Sequence, residues 1–512
     1  MLAKKIFLSN IIQAFNTVAN FILGLLLAYY FGATKEMDAF VAAMNFVLFL
    51  NTLFLTAQGS VFIPFITKIE TEESRKIIIS AILKCNFLLF LSFTLLFIFG
   101  APYISQLITP GMDDANKVKV SWLIRIFCGT LLSGNVISLG FALLDFNFKF
   151  ERRYLIQLSQ IVVSISMLLL LASHCGIYGA GAALLSGNII SFILVFKYLR
   201  ANWVDSSKTA FPTAEMKLYF IILLPTLISA SFVWAIKYVE IFAASFQQVG
   251  SLAYLGYCQR MEIGTSVIAI VICSIYYPLF SRLIKEGKRA EYLNRFYSGF
   301  QLISTIVLSL VAFILLFSAE IIQILFQHGN FNSSDTAALS KALRLYGFVL
   351  IGAPFGTYMA NVYFSFSKTN IAMWCSMGSS CMQILCIAGL VPLLGFSGIV
   401  LSASIGFFTG NVLQAFSFKR IIPEYRHKDL LSAIKSPFIA VLGATTILLC
   451  VKFIFPPFGQ GFVVKTAFVV TMFCLYLLIL LACHLFLKTP FVVDYFNKFK
   501  TRIRILSRRK SV

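Results

Sequence analysis

The sequence predicts an all-α polytopic membrane protein with about fourteen transmembrane helices, arranged as two six-helix lobes plus two C-terminal helices. Three observations carry this expectation. Of the 512 residues, 59% are hydrophobic and only 12% charged, against about 45 to 50% and about 25% in soluble domains. The apolar residues fall in runs of about 20, the length an α-helix needs to cross the ~30 Å hydrocarbon core. Short patterns in the first half also recur in the second at a nearly constant offset. The composition by itself excludes a soluble enzyme and a disordered chain.

The runs, bounded by polar or Gly/Pro breaks, cover 6–31, 37–65, 77–99, 120–145, 154–174, 177–197, 218–246, 251–280, 296–326, 337–366, 371–392, 395–418, 434–455 and 463–487. The first has no small-residue cleavage site and passes into a loop before the second, so it reads as a span and not as a cleaved signal peptide. The fifth and sixth are separated only by Cys175 and Gly176. Before the tenth lies a polar loop, Phe326 to Thr336, in which Ser334 or Asp335 is expected to cap the following helix. The organisation expected is an N-terminal lobe at 1–217, a C-terminal lobe at 218–420, two more helices at 421–488 and a basic cytoplasmic tail at 489–512.

Two pairs of patterns support the lobes. The second run has Ala39 followed by Pro64, and the eighth has Ala253 followed by Pro278 at the same interval; each proline is followed four positions later by a basic residue. Gly176, Gly179 and Gly187-Asn188 in the sixth run match Gly395, Gly398 and Gly410-Asn411 in the twelfth. An even number of helices separates the members of each pair, so the halves are parallel repeats, an arrangement that can leave a central cleft opening to either side in turn.

The net charge of +22 would point to nucleic acid in a soluble protein. Here the 42 basic residues sort by loop. With the N-terminus inside, thirty-one lie on the inner face and five on the outer, the positive-inside pattern of a protein with both termini cytoplasmic. The tail, TRIRILSRRKSV, reads as part of that topology signal or as a contact for anionic membrane lipids. No nucleic-acid partner is expected.

Ionisable residues inside a bilayer cost at least about 2.5 to 3.5 kcal/mol and therefore face a cavity or a partner. Arg260, well inside the eighth run, has the strongest claim, because Glu262 two residues on points to another face and because arginine suits bidentate phosphate contact. Lys237 and Glu240 lie three apart in the seventh run and can pair on one helix face, as a self-neutralising bridge or as part of a site. Asp38 and Arg125 lie close enough to helix ends for capping or snorkelling to explain them equally well. The four histidines are scattered, no metal-binding or P-loop motif is present, and the eleven cysteines read as packing residues. No cofactor, metal or enzymatic activity is expected.

Phe31-Gly32-Ala33-Thr34-Lys35-Glu36-Met37-Asp38-Ala39-Phe40, Tyr257 to Met261 with Tyr277 to Arg282, and Leu325 to Phe331 with Ala342 to Gly347 resemble the MurJ (MviN-type) lipid II flippases of the MOP exporter superfamily. The resemblance runs through the first twelve runs. It implies two six-helix lobes, two extra helices forming a lipid-facing groove, and alternating access. The implied cargo is an undecaprenyl-pyrophosphate-linked disaccharide-peptide moved from the inner to the outer leaflet of the bacterial inner membrane. The implied energy source is the membrane potential or a coupling cation. It also places Asp38 and Arg260 at a central cavity. One departure stands out: the family's first helix usually carries two arginines, and its second another, whereas here the region reads Gln13-Ala-Phe-Asn16-Thr17-Val-Ala-Asn20-Phe-Ile-Leu23-Gly24 and the second run has Asn45 and Asn51.

The expectation is thus a flippase in which Arg260 and Lys237 hold the pyrophosphate while Asp38 and Glu240 pair with them when the site is empty, with Arg125 and Glu262 as further cavity candidates. The alternatives are a flippase for an O-antigen or exopolysaccharide precursor, an ion-coupled multidrug antiporter of the same superfamily, and a scaffold in a polysaccharide-assembly complex.

Overall fold

A computed structural model describes residues 2–200, 212–366, 368–455, 461–487 and 489. The basic tail from 490 on, and Lys208 in the loop after the sixth run, lie outside the described residues. The rest is helical: α1 (Leu2–Phe31), α2 (Lys35–Thr67), α3 (Glu72–Ile108), α4 (Asp114–Phe146), α5 (Phe150–Arg200), α6 (Thr213–Ser245), α7 (Ser251–Lys285), α8 (Arg289–Leu316), α9 (Ser318–Phe326), α10 (Ser333–Leu345), α11 (Gly347–Ser365), α12 (Thr369–Leu394), α13 (Phe396–Phe418), α14 (His427–Ile454) and α15 (Phe462–Phe486). Among the described residues, eleven helices are long and apolar enough to cross a membrane, or twelve if α10 and α11, bent by 46°, form one span. This count takes α5 once, although it holds two of the expected spans, and so does not confirm fourteen.

The fifth and sixth runs both lie within the 51 residues of α5, as two helices that meet at a kink. A straight helix of that length would be about 77 Å long. Instead Gly176 adopts φ 55°, ψ −140°, a left-handed backbone that side chains disfavour, and the chain doubles back. Ser191 donates to the Gln160 side chain at 3.1 Å, and Gly179 lies against the Leu171 carbonyl. The same construction recurs at the second copy of the glycine pattern, where Gly395 has φ 57° and Gly398 lies against the Leu390 carbonyl. Gly176 and Gly395 thus share a positive φ. The ninth run also divides, at Phe317, into α8 and α9.

Helix starts follow local chemistry. Thr34, Thr71 and Asp113 each accept a backbone N–H at the start of α2, α3 and α4, and acidic residues fill the first turns. The expected cap of α10 is corrected: Asn332 accepts from Asp335 N at 3.0 Å while Asp335 accepts from Asn332 N at 2.9 Å, a reciprocal pair in which Asn332 is the cap and Asp335 its return partner.

Contacts group the residues into two compact units. The first holds 1–260, 328–335 and 384–399; the second holds 261–327, 336–383 and 400–512. The boundary passes through α7 between Arg260 and Met261. In the first unit α4 is the central helix, packed by α2, α3 and α5, with α1 against α5 and α2 against α6. Its core includes Phe62, Ile66, Ile82, Leu139, Leu144, Val195 and Tyr219. In the second unit α8 packs against α14 and α11, and α15 against α14. Phe313, Phe317, Leu448 and Tyr476 fill that core, and Tyr292, Phe296, Tyr358 and Phe418 form an aromatic layer beside it.

Candidate functional site

The first unit carries the charged residues of interest, and α1 supplies their floor. Gln13, Thr17, Asn20 and Gly24 recur at i, i+4, i+7 and i+11, so an otherwise apolar helix bears one polar stripe. Arg260, half-buried on α7, reaches the Asn20–Gly24 end of this stripe. Its Nη1 donates to the Asn20 carbonyl at 3.3 Å. A Cβ on Gly24 would stand 2.5 Å from Arg260 Cδ and 2.8 Å from its Nε, so the absent side chain at 24 is the space the arginine occupies. Arginine has five N–H donors, and among the described residues no carboxylate forms an ion pair with this one. The guanidinium keeps most of its hydrogen-bonding capacity for something else.

Lys237 and Glu240 do pair on α6, with Nζ 3.0 Å from Oε2. Glu240 is only 2% exposed, and Gln259 of α7 approaches the same carboxylate oxygen at 3.5 Å. Since Gln259 precedes Arg260, this contact brings the α6 pair to the part of α7 that bears the arginine.

Asp38 lies elsewhere in the arrangement. It is 7% exposed, and its two oxygens accept from Gly250 N at 2.7 Å and Ala253 N at 2.8 Å. It caps α7 and pairs with neither Arg260 nor Lys237. Around it the first unit is laced together. Tyr257 donates to the Gly32 carbonyl at 2.6 Å, and Tyr254 to Asp335 at 2.8 Å. Asn330 donates to the carbonyls of Tyr29 and Tyr30 at 3.0 and 2.5 Å. Lys35 meets Asp113 at 2.9 Å and Lys119 meets Glu36 at 2.5 Å.

The two remaining candidates have structural partners. Arg125 donates from Nε to the Ile98 carbonyl at 3.2 Å and covers the Trp122 ring at 4.6 Å. Glu262, in the second unit, accepts from Tyr346 at 3.2 Å. Among the described residues no group of three or more His, Cys, Asp or Glu could hold a metal ion, and all eleven cysteines are free. Sequence reasoning passed over Asn20 and Gly24 as positions of their own, although their helical spacing with Gln13 and Thr17 was there to be read.

Residues 27–479 match the family described as Lipid II flippase MurJ. The chain belongs to the MurJ family. A probable lipid II flippase MurJ from Buchnera aphidicola subsp. Schizaphis graminum is 24% identical over 90% of this chain and 91% of its own length. A solved lipid II flippase MurJ in an inward closed conformation superposes with a TM-score of 0.79 at 21% identity, over 96% of this chain and all of that one. An inward-facing multidrug resistance MATE transporter of the MOP superfamily gives 0.65 at 16% identity, over 79% and 94%. At these identities the two structures establish a shared fold. MurJ membership together with the long apolar helices makes the chain a multi-pass membrane transporter and not an enzyme. The MurJ match begins at residue 27, so the stripe from Gln13 to Gly24 precedes it.

Proposed function

We propose that this chain translocates lipid II, a polyprenyl-pyrophosphate-linked glycopeptide, from the inner to the outer leaflet of the bacterial inner membrane, with both termini cytoplasmic. Arg260 carries the reading: a guanidinium with one acceptor among the described residues, at a polar stripe of α1, suits a pyrophosphate that the bilayer will not admit. Lys237 adds a second charge when its pair with Glu240 opens. A coupling cation, on this reading, acts at Glu240, and the lobes at 1–217 and 218–420 alternate in access. Asp38 positions α7 and does not touch cargo.

Complementation tests this. In a bacterium depleted of its own lipid II flippase, the wild-type chain is expected to restore growth and Arg260→Ala to fail at equal abundance. A wild-type chain that reaches the membrane and gives no rescue overturns lipid II as the cargo and redirects the search to other lipid-linked glycans.

A further inference from the structure

The geometry points to Gly24 as a positioning residue for Arg260: the bare backbone at 24 and the Asn20 carbonyl form a saddle on α1 that holds the guanidinium of α7 over the polar stripe. This deepens the lipid-linked pyrophosphate reading and rests on it.

From Ser9 to Phe31, α1 carries no basic residue, yet it presents Gln13, Thr17 and Asn20 on one face. The cation for that face therefore arrives from outside the helix. Arg260 supplies it, and three of its side-chain atoms fix how: a Cβ at 24 would lie 2.5 Å from Cδ, 2.8 Å from Nε and 3.0 Å from Cζ. All three distances are shorter than carbon contacts near 3.5 to 4.0 Å. The atoms that would be struck belong to the outer part of a flexible side chain, so alanine at 24 moves the arginine and leaves the backbone in place. Displaced from the groove, Nη1 loses its acceptor at Asn20. The remaining N–H groups then leave their place beside Asn20. Alanine is also the better helix former, so the substitution displaces the guanidinium without weakening α1.

The test is a double-mutant cycle on the purified full-length chain, Gly24→Ala and Arg260→Ala singly and together. It is read as affinity for undecaprenyl pyrophosphate, with thermal unfolding midpoints alongside and lipid II flipping in vesicles as a separate measurement. Gly24→Ala is expected to weaken undecaprenyl pyrophosphate about tenfold when Arg260 is present and less than twofold when it is Ala, with an unfolding midpoint no lower than wild type. An equal loss in both backgrounds, no loss in either, a lowered midpoint in both, or a wild-type chain that does not bind the probe each overturns the positioning role. Probe binding with the expected coupling but no flipping of lipid II overturns the cargo assignment and leaves the positioning role standing. Flipping with additive mutations does the reverse.

Discussion

Two charged residues meet α7 within ten positions of each other, and their surroundings differ in kind. Asp38 is buried at the start of the helix with both carboxylate oxygens accepting backbone N–H groups. Arg260, two and a half turns on, rests in a groove made by a glycine and, among the described residues, gives one hydrogen bond, to a carbonyl. A charge whose hydrogen-bonding sites are consumed by the fold is architecture. A charge held in place with most of its donors unspent is prepared for a partner. Both are ionisable residues in apolar helices, and only the count of satisfied sites separates them.

Arg260→Ala is the largest test of that difference. It should lower lipid II flipping at least a hundredfold in vesicles, because an unpaired pyrophosphate in the bilayer interior is prohibitive, while the unfolding midpoint stays at or above wild type. A large loss of stability with flipping retained would make Arg260 the architectural member of the pair. Asp38→Ala should do the opposite. Removing a helix cap costs about 1 to 2 kcal/mol, here with two buried N–H groups left open, so the expected result is a lowered midpoint and reduced abundance. Asp38→Asn, which keeps one acceptor, should recover part of the stability. If Asp38→Ala is as stable as wild type but does not flip, the capping role is wrong.

The sequence made the membrane class and the family legible because both are written in quantities that survive without a structure. Apolar run length reports the spans, and Gly176 and Gly395 report the repeat through backbone conformation. The Lys237–Glu240 pair was legible for the same reason, since i, i+3 spacing on one helix fixes proximity. For Asp38 the sequence left capping and pairing with Arg260 or Lys237 both open, because the amides it caps, those of Gly250 and Ala253, are far along the chain and carry no residue-type signature. Gly24 could be placed on the stripe by its spacing, but its role could not be read. Its contribution is a missing side chain, and what fills the space comes from a helix distant in sequence. The α10 cap went to Asn332 over Ser334 and Asp335 because capping depends on where the first turn begins, which differs by a residue or two between equally polar neighbours.

The laced end of the first unit offers the smallest and finest test. Asp38 is buried there, but Lys35 and Asp113 meet at its exposed rim, both side chains about half exposed. If burial decides which contacts hold this end together, the rim pair should matter little, as exposed ion pairs generally do. The Lys35 ammonium holds the Asp113 carboxyl below its ordinary value, assisted by the Asn116 amide. A depressed carboxylate contributes stability that is fully present above the ordinary value of about 3.9 and is lost as pH falls through the lowered one. Between pH 6 and 8 the contribution is therefore constant, and a Lys35→Ala and Asp113→Ala cycle should show weak coupling that fades further in high salt. Asp113→Asn keeps an acceptor for the α4 cap and should be close to silent in both stability and flipping. Strong, salt-resistant coupling between the two would mean that this end is closed from its rim, and that the satisfied carboxylate of Asp38 is a consequence of the closure and not its cause.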